Sequence, residues 1–265
     1  MDASRRSFCA AGALALAGCA ATGPSADAAR AQLAPTGKLR AAINYGNPVL
    51  ASRGPDGQPR GVSVDLAREA ARRLGLPLEL VPVAAAGDAV AALKGQRADL
   101  GFVAIDPVRG ADMDYTPPYV IIEGAYIVRA DSPLRANEEV DRAGNRIVVG
   151  RNSAYDLYLT RELKAATLVR ITGSENVVRE FAAQRLEVGA GVRQQLEADA
   201  KATPGVRILP GRFMVIEQAV ASPKARPGVA AALRDFIEAQ KASGFVARAL
   251  AASGQADAVV APPAP

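Results

Sequence analysis

The spacing of apolar positions switches repeatedly between two periods along the chain. Residues 38–45 place Leu39, Ala41 and Ile43 on one side and read as a strand. Asn47-Pro48 and Arg53-Gly54-Pro55-Asp56-Gly57 then form turns. Leu66, Ala70 and Leu74 share one face of a helix that Gly75 and Pro77 terminate. Residues 78–83 are a second strand, Asp88 caps a helix running to Lys94, and residues 98–105 are a third, buried strand. Residues 120–128 are extended, apolar and long for one strand of a small sheet, which suits a link between lobes. The pattern then restarts. Strands fall at 146–150, 168–172 and 186–190, with helices capped by Ser153 and Ser174 over 154–163 and 175–184. A helix at 194–202, a strand at 207–209 and a second long apolar segment at 213–221 follow. An amphipathic helix over 228–241 and a short one from Gly244-Phe245 to Leu250 close the pattern. Buried strands alternating with helices predict an α/β fold with mostly parallel sheet.

The restart carries an internal echo. Gln96-Arg97-Ala98-Asp99-Leu100-Gly101 and Gln184-Arg185-Leu186-Glu187-Val188-Gly189 each lead from a helix end into a strand. Their equivalent placement predicts two similar lobes joined by two extended segments, with a cleft that closes by hinge motion. Lobe 1 is expected over 37–119 plus 219–252, with the hinge segments and lobe 2 over 120–218.

The ends read differently. Arg5 and Arg6 precede a short apolar run at 10–18, which has the make-up of a secretory signal peptide over 1–18. The run falls short of the ~20 residues a spanning helix needs. Ser4-Arg5-Arg6-Ser7-Phe8 resembles a twin-arginine export motif. Leu16-Ala17-Gly18-Cys19 resembles a bacterial lipobox, which makes Cys19 the expected lipid attachment site and a membrane the expected anchor. Residues 19–36 are rich in Ala, Gly, Pro, Ser and Thr and read as a flexible tether; residues 253–265 read as a disordered tail.

Composition narrows the chemistry. With no His anywhere and Cys only at positions 9 and 19, His triads, His or Cys metal sites and disulfides are excluded from the folded part, and no cofactor is expected. The net charge of +5 is spread without a Lys/Arg stripe, so nucleic acid is not an expected partner. One candidate stands out. Arg109 follows the third strand in the turn Ile105-Asp106-Pro107-Val108-Arg109, where a guanidinium fork can seat a carboxylate.

Several stretches then fall at the spacing of one known family. They are Gly37-Lys38-Leu39-Arg40, Gly61-Val62-Ser63-Val64-Asp65-Leu66-Ala67 and Ala91-Ala92-Leu93-Lys94-Gly95-Gln96-Arg97-Ala98-Asp99. Ile105 to Arg109, Asp114-Tyr115-Thr116-Pro117-Pro118-Tyr119, Gly144-Asn145-Arg146-Ile147-Val148-Val149 and Gly244-Phe245 continue the series. The chain resembles the periplasmic solute-binding proteins of ABC importers, specifically bacterial extracellular solute-binding protein family 3, whose members mostly bind amino acids.

That resemblance implies the two-lobed type II periplasmic-binding-protein fold. It implies a monomer that delivers a small carboxylate to a membrane permease. It places the ligand's carboxylate on Arg109 and on the helix start Asn152-Ser153-Ala154, with the loop after the first strand, here Asn47-Pro48-Val49, packed over the ligand. Two departures stand out. The family often has a hydroxyl just before the Arg motif, where this chain has Phe102-Val103-Ala104. Amino-acid binders carry an Asp after the last strand of the second lobe to hold the ammonium, where this chain has Val192-Arg193. Either Asp106, Glu123 or Glu217 takes the amine, or the ligand lacks one. An enzyme on the same fold, dehydratase-like, would use Asp106 and Glu123 as acid and base; a ligand-sensing subunit is the remaining alternative.

Overall fold

A computed structural model describes residues 26–226 and 228–265. The expected signal peptide and Cys19 lie outside the described residues.

The first half of lobe 1 builds a parallel core. Helix α1 (Ala26–Leu33) precedes β1 (Leu39–Asn44), a short hairpin of β2 (Ser52–Arg53) and β3 (Pro59–Arg60), and helix α2 (Val62–Leu74). Strand β4 (Leu78–Val83), helix α3 (Ala86–Lys94) and β5 (Leu100–Ala104) follow. β1 pairs in parallel with both β4 and β5. β6 (Met113–Tyr115) then leads to β7 (Val120–Arg129), the first of two ten-residue strands.

Lobe 2 repeats the unit. β8 (Arg146–Gly150), α4 (Ala154–Glu162), β9 (Thr167–Ile171), α5 (Val177–Ala183) and β10 (Val188–Val192) come in order, and β8 pairs in parallel with β9 and β10. α6 (Arg193–Ala202) and β11 (Val206–Ile208) lead into β12 (Met214–Pro223), the second ten-residue strand. α7 (Val229–Ala242), α8 (Phe245–Ala252) and β13 (Val259–Val260) end the chain.

The strand order β4-β1-β5-β12-β7-β10-β8-β9 makes one continuous sheet. Its two ends are parallel and its middle is antiparallel. β12 pairs with β7 from Met214–Gly124 to Gln218–Val120, so the two long strands cross between the lobes side by side. Tyr126 of β7 stacks on Phe213 beside β12, with ring centroids 4.2 Å apart. β5 and β10 are buried along their whole length, as their unbroken apolar runs require.

The echo proves to be a structural duplication. Gln96 and Arg185 both take left-handed backbone, at φ 54° and 48°. The acid, three residues after Gln96 in one copy and two after Arg185 in the other, then folds onto the Arg of the neighbouring strand. Asp99 accepts from Arg40 N at 3.0 Å, Nε at 3.0 Å and Nη2 at 2.8 Å. Glu187 accepts from Arg146 N at 2.9 Å, Nε at 2.8 Å and Nη2 at 2.9 Å. Arg146 holds the Glu187 carboxyl down at about 2, against its ordinary 4.5. The sign follows from a depressed folded-state value: this contribution to stability is complete above about pH 4.5 and is lost as the pH falls toward 2. Glu187→Gln should therefore flatten the acid limb of melting temperature against pH below 4.5, and an unchanged limb would exclude this pair as its cause.

Both chain ends correct the sequence reading. Residues 19–36 are not all tether: α1 packs on α7, and Ala29, Leu33 and Ala34 are buried. Alanine is the best helix former, and Asp27 and Arg30 suit the two ends of the helix dipole, so an Ala-rich composition was compatible with helix as well as linker. Nor are residues 253–265 disordered. Val259 and Val260 pair with Ile121 and Val120 of β7, and Ala261 N donates to Tyr119 O at 3.1 Å. Lys241 Nζ donates to Pro262 O at 2.7 Å and Pro118 O at 3.2 Å, which stitches the tail beside the hinge strand. The tail covers backbone that β7 would otherwise leave open, and the prolines that follow, lacking N–H, end the ladder.

Candidate functional site

The turn after β5 aims Arg109 inward. Asp106 Oδ1 accepts from Val108 N at 2.9 Å and Arg109 N at 3.3 Å, and Gly110 N donates to Asp106 O at 2.8 Å. This Asx-type turn folds the Arg109 side chain back under the end of β5, where Nη1 donates to Ala104 O at 3.3 Å. Nη2 crosses to lobe 2 and donates to Asn152 O at 2.7 Å. Arg109 is 5% exposed, and no carboxylate among the described residues lies within ion-pair distance of it. Burial pulls its guanidinium below the ordinary value, opposed by Tyr115 and Asp106, yet arginine stays charged in proteins. The result is a buried cation held only by neutral carbonyls.

The facing wall is the start of α4. Asn152 adopts left-handed backbone at φ 57°, a conformation asparagine tolerates. Its N–H donates to Asp156 Oδ2 at 2.8 Å, Ser153 Oγ accepts from Asp156 N at 3.0 Å, and Arg170 Nε fixes Asp156 Oδ1 at 2.9 Å. Ser153 N is engaged by Gly150 O at 3.1 Å. Of the groups expected to face an anion, the Ser153 hydroxyl and the Ala154 amide of the open first turn are left for it. The lobes also meet through Arg161 Nη1, which donates to Asp106 Oδ2 at 3.0 Å. At Gly87 a side chain would bring its Cβ to 2.8 Å from Asn152 Cβ, so the close approach of the lobes requires glycine there.

Between these walls lies a pocket of about 30 Å³, room for a couple of water molecules. Asn47, Ala104, Arg109, Ser153 and Ala154 line it, as do Asn44, Tyr155, Ser174, Val192 and Gln218. Burial pushes the Tyr155 phenol up, with Ser174 and Ser153 nearby opposing it. Ser174 opens a 3-10 turn (Ser174–Asn176) instead of capping a helix, and Gly173 precedes it in left-handed backbone. A more open hollow of about 410 Å³, lined by Tyr45, Arg53 and Glu175 among others, provides further room.

Two expected site residues stand elsewhere. Asp106 does not line the pocket; its carboxylate is used by the turn amides and Arg161. Asn152 contributes its carbonyl to Arg109 and is not among the lining side chains. Sequence reasoning missed Asn44, Tyr155, Ser174 and Gln218. Gln218 had a visible signal, a lone amide inside an apolar run, and it is 4% exposed. The other acids offered for an amine are also engaged or turned away. Glu123 is paired with Arg193 at 2.9 Å and Arg212 at 2.7 Å, and Glu217 is exposed. Arg193 thus belongs to the Glu123 cluster and to the Gly211 carbonyl, which it also bonds.

The sequence profile of bacterial extracellular solute-binding proteins, family 3, matches residues 39–252. The chain belongs to this family. Among solved structures, the family chain is similar to the amino acid ABC transporter substrate-binding protein AbpA from Streptococcus pneumoniae bound to L-arginine. Identity is 20%, TM-score 0.73, with coverage of 84% of this chain and 97% of that one. It is similar to AncCDT-1, an ancestral amino acid-binding protein and precursor of cyclohexadienyl dehydratase, at 18% identity and TM-score 0.72, covering 84% and 98%. A histidine kinase sensor domain with similarity to periplasmic binding proteins matches at 19% identity and TM-score 0.73, again covering 84% and 98%. At these identities the likenesses establish the fold, which is the two-lobed type II periplasmic-binding architecture. No curated protein sequence matches the chain. Among the described residues, no helix is long and apolar enough to cross a membrane, and no group of His, Cys, Asp and Glu could hold a metal ion.

Proposed function

We propose that this family member captures a small carboxylate, an amino acid or a related organic acid, between its lobes and delivers it to the permease of an ABC importer. The observation that carries the reading is Arg109, a buried cation in the wall between the lobes that has no carboxylate partner among the described residues. A carboxylate there takes over Nη2 from the Asn152 carbonyl and accepts from Ser153 and Ala154 on the other lobe. A ligand that bridges both walls binds the closed form better than the open one, which is what drives closure. The 30 Å³ pocket is smaller than any such ligand, so the lobes must part before it enters. A thermal-shift and calorimetric panel of small carboxylates on the parent protein and Arg109→Met tests the reading. At least one acid should stabilise the parent and not the variant; stabilisation of both alike would overturn it.

The same reading takes the protein as an exported monomer anchored through lipid on Cys19. Mass spectrometry of the mature protein from membranes should find a lipid-modified N-terminal Cys19; an unmodified start elsewhere would remove the anchor.

The enzyme alternative needs a free acid and base. Asp106 is held by two amides and Arg161. Glu123 is held below the usual carboxylate range by Arg212 and Arg193. A carboxylate held that low, as Glu123 is, is a weak proton carrier near neutral pH, and Asp106 is already occupied, which together favour binding over turnover. A sensing role would use the same pocket, and reconstituted uptake with the permease separates it from transport.

A further inference from the structure

We infer that the ligand's carbon next to the acid bears a neutral hydroxyl and no ammonium, so that the protein takes 2-hydroxy carboxylates in preference to amino acids. The inference rests on the proposed seat for the acid at Arg109.

The charge balance of the pocket carries it. Arg109 is the one charged residue among the lining residues; the rest are amides, hydroxyls and apolar groups. A carboxylate without an amine brings the pocket to neutrality. A zwitterion leaves it with one net positive charge, its ammonium desolvated near a guanidinium and without an anion beside it. The acids nearby do not supply that anion, since Asp106 and Glu123 sit in ion pairs and Glu217 is exposed. Glu175 lines the solvent-open hollow and is itself exposed. At the end of β10 the wall is the isopropyl group of Val192.

A second observation points to a hydroxyl. Asn47 lines the pocket, is 7% exposed, and its Oδ1 is buried without a hydrogen-bond partner among the described residues. A buried acceptor in that state is costly until a donor reaches it. An alcohol on the α-carbon supplies the donor at no cost in charge.

Matched pairs that share a side chain test this: glycolate with glycine, L-lactate with L-alanine, L-malate with L-aspartate, and the longer aliphatic and aromatic 2-hydroxy acids with their amino acids. Calorimetry on the full folded protein should show the best hydroxy acid binding at least about tenfold tighter than its amino acid. Equal or tighter binding of the amino acid, lost in Arg109→Met, overturns this inference and leaves the carboxylate seat standing. Binding that survives Arg109→Met, or no binding by any pair, overturns both. Val192→Asp gives an independent check. It places a carboxylate on the pocket wall at the N-cap of α6, a position where Asp is favoured. The variant should shift the preference toward the amino acid by at least about tenfold; a ratio that does not move overturns the inference.

Discussion

Asp99→Ala is expected to lower the unfolding free energy by about 3–5 kcal/mol, the usual effect of removing one partner of a buried ion pair. The Asp99 side chain is fully buried and accepts three hydrogen bonds from Arg40. A second guanidinium, that of Arg226, lies 3.7 Å away and is itself mostly buried. Burial already pulls Arg226 below its ordinary value, with Asp99 opposing. Removing the acid leaves two mostly buried cations facing each other across β1 and the segment after β12, without the charge that offsets them. For a chain of this size the loss corresponds to a melting temperature lower by roughly 6–20 °C. Glu187→Ala removes the equivalent acid of the other lobe but should cost less. There the carboxylate side chain is 29% exposed and its Arg146 partner 46% exposed, so solvent screens both charges. Denaturant unfolding of the two variants reads the difference directly. A loss for Asp99→Ala no greater than that for Glu187→Ala would show that burial is not what gives this motif its weight.

The two acids also show why some of this molecule was legible in sequence and some was not. The echo could be read because each copy is local: six consecutive residues set a left-handed turn, an acid and a strand start. What each acid meets could not be read, because Arg40 and Arg226 are brought to Asp99 only by folding. The site divides in the same way. Arg109 and Ser153 stand at element ends that hydrophobic periodicity marks well. Asn44, Ser174 and Gln218 come from three separate elements and share a wall only because β12 returns beside β5. Asp106 misled through its nearness to Arg109 in sequence. A short acid two residues before a free amide turns back onto its own backbone, and this one does. At the ends, composition stood in for structure. Alanine runs and Ala-Pro tails are ambiguous until a neighbour is known, and here α7 and β7 are those neighbours.

Arg109→Met should weaken binding of the acid by about 2–5 kcal/mol, or roughly thirtyfold to several thousandfold. The variant keeps the length and apolar stem of the side chain and deletes the charge and the fork. Two terms then separate. Binding loses the Nη2 donor and the positive charge that hold the carboxylate, and that loss falls on the complex alone. The ligand-free protein loses the bonds to Ala104 O and Asn152 O but also sheds the desolvation cost of a cation that no carboxylate offsets. These contributions oppose each other, so the ligand-free melting temperature should stay within about 4 °C of the parent, roughly 1 kcal/mol for a chain of this size. The signature is a ligand-induced shift that vanishes while the starting melt hardly moves. Arg109→Lys separates charge from geometry. It keeps one positive charge but cannot reach a carboxylate and the Ala104 carbonyl with a planar fork, so it should fall between the parent and Arg109→Met. If Arg109→Met binds within about threefold of the parent, a difference under 1 kcal/mol, the acid does not sit on Arg109. A melt that collapses in the variant without ligand would instead make the bond to Asn152 the larger role of this side chain: a clasp between the lobes that the ligand must displace.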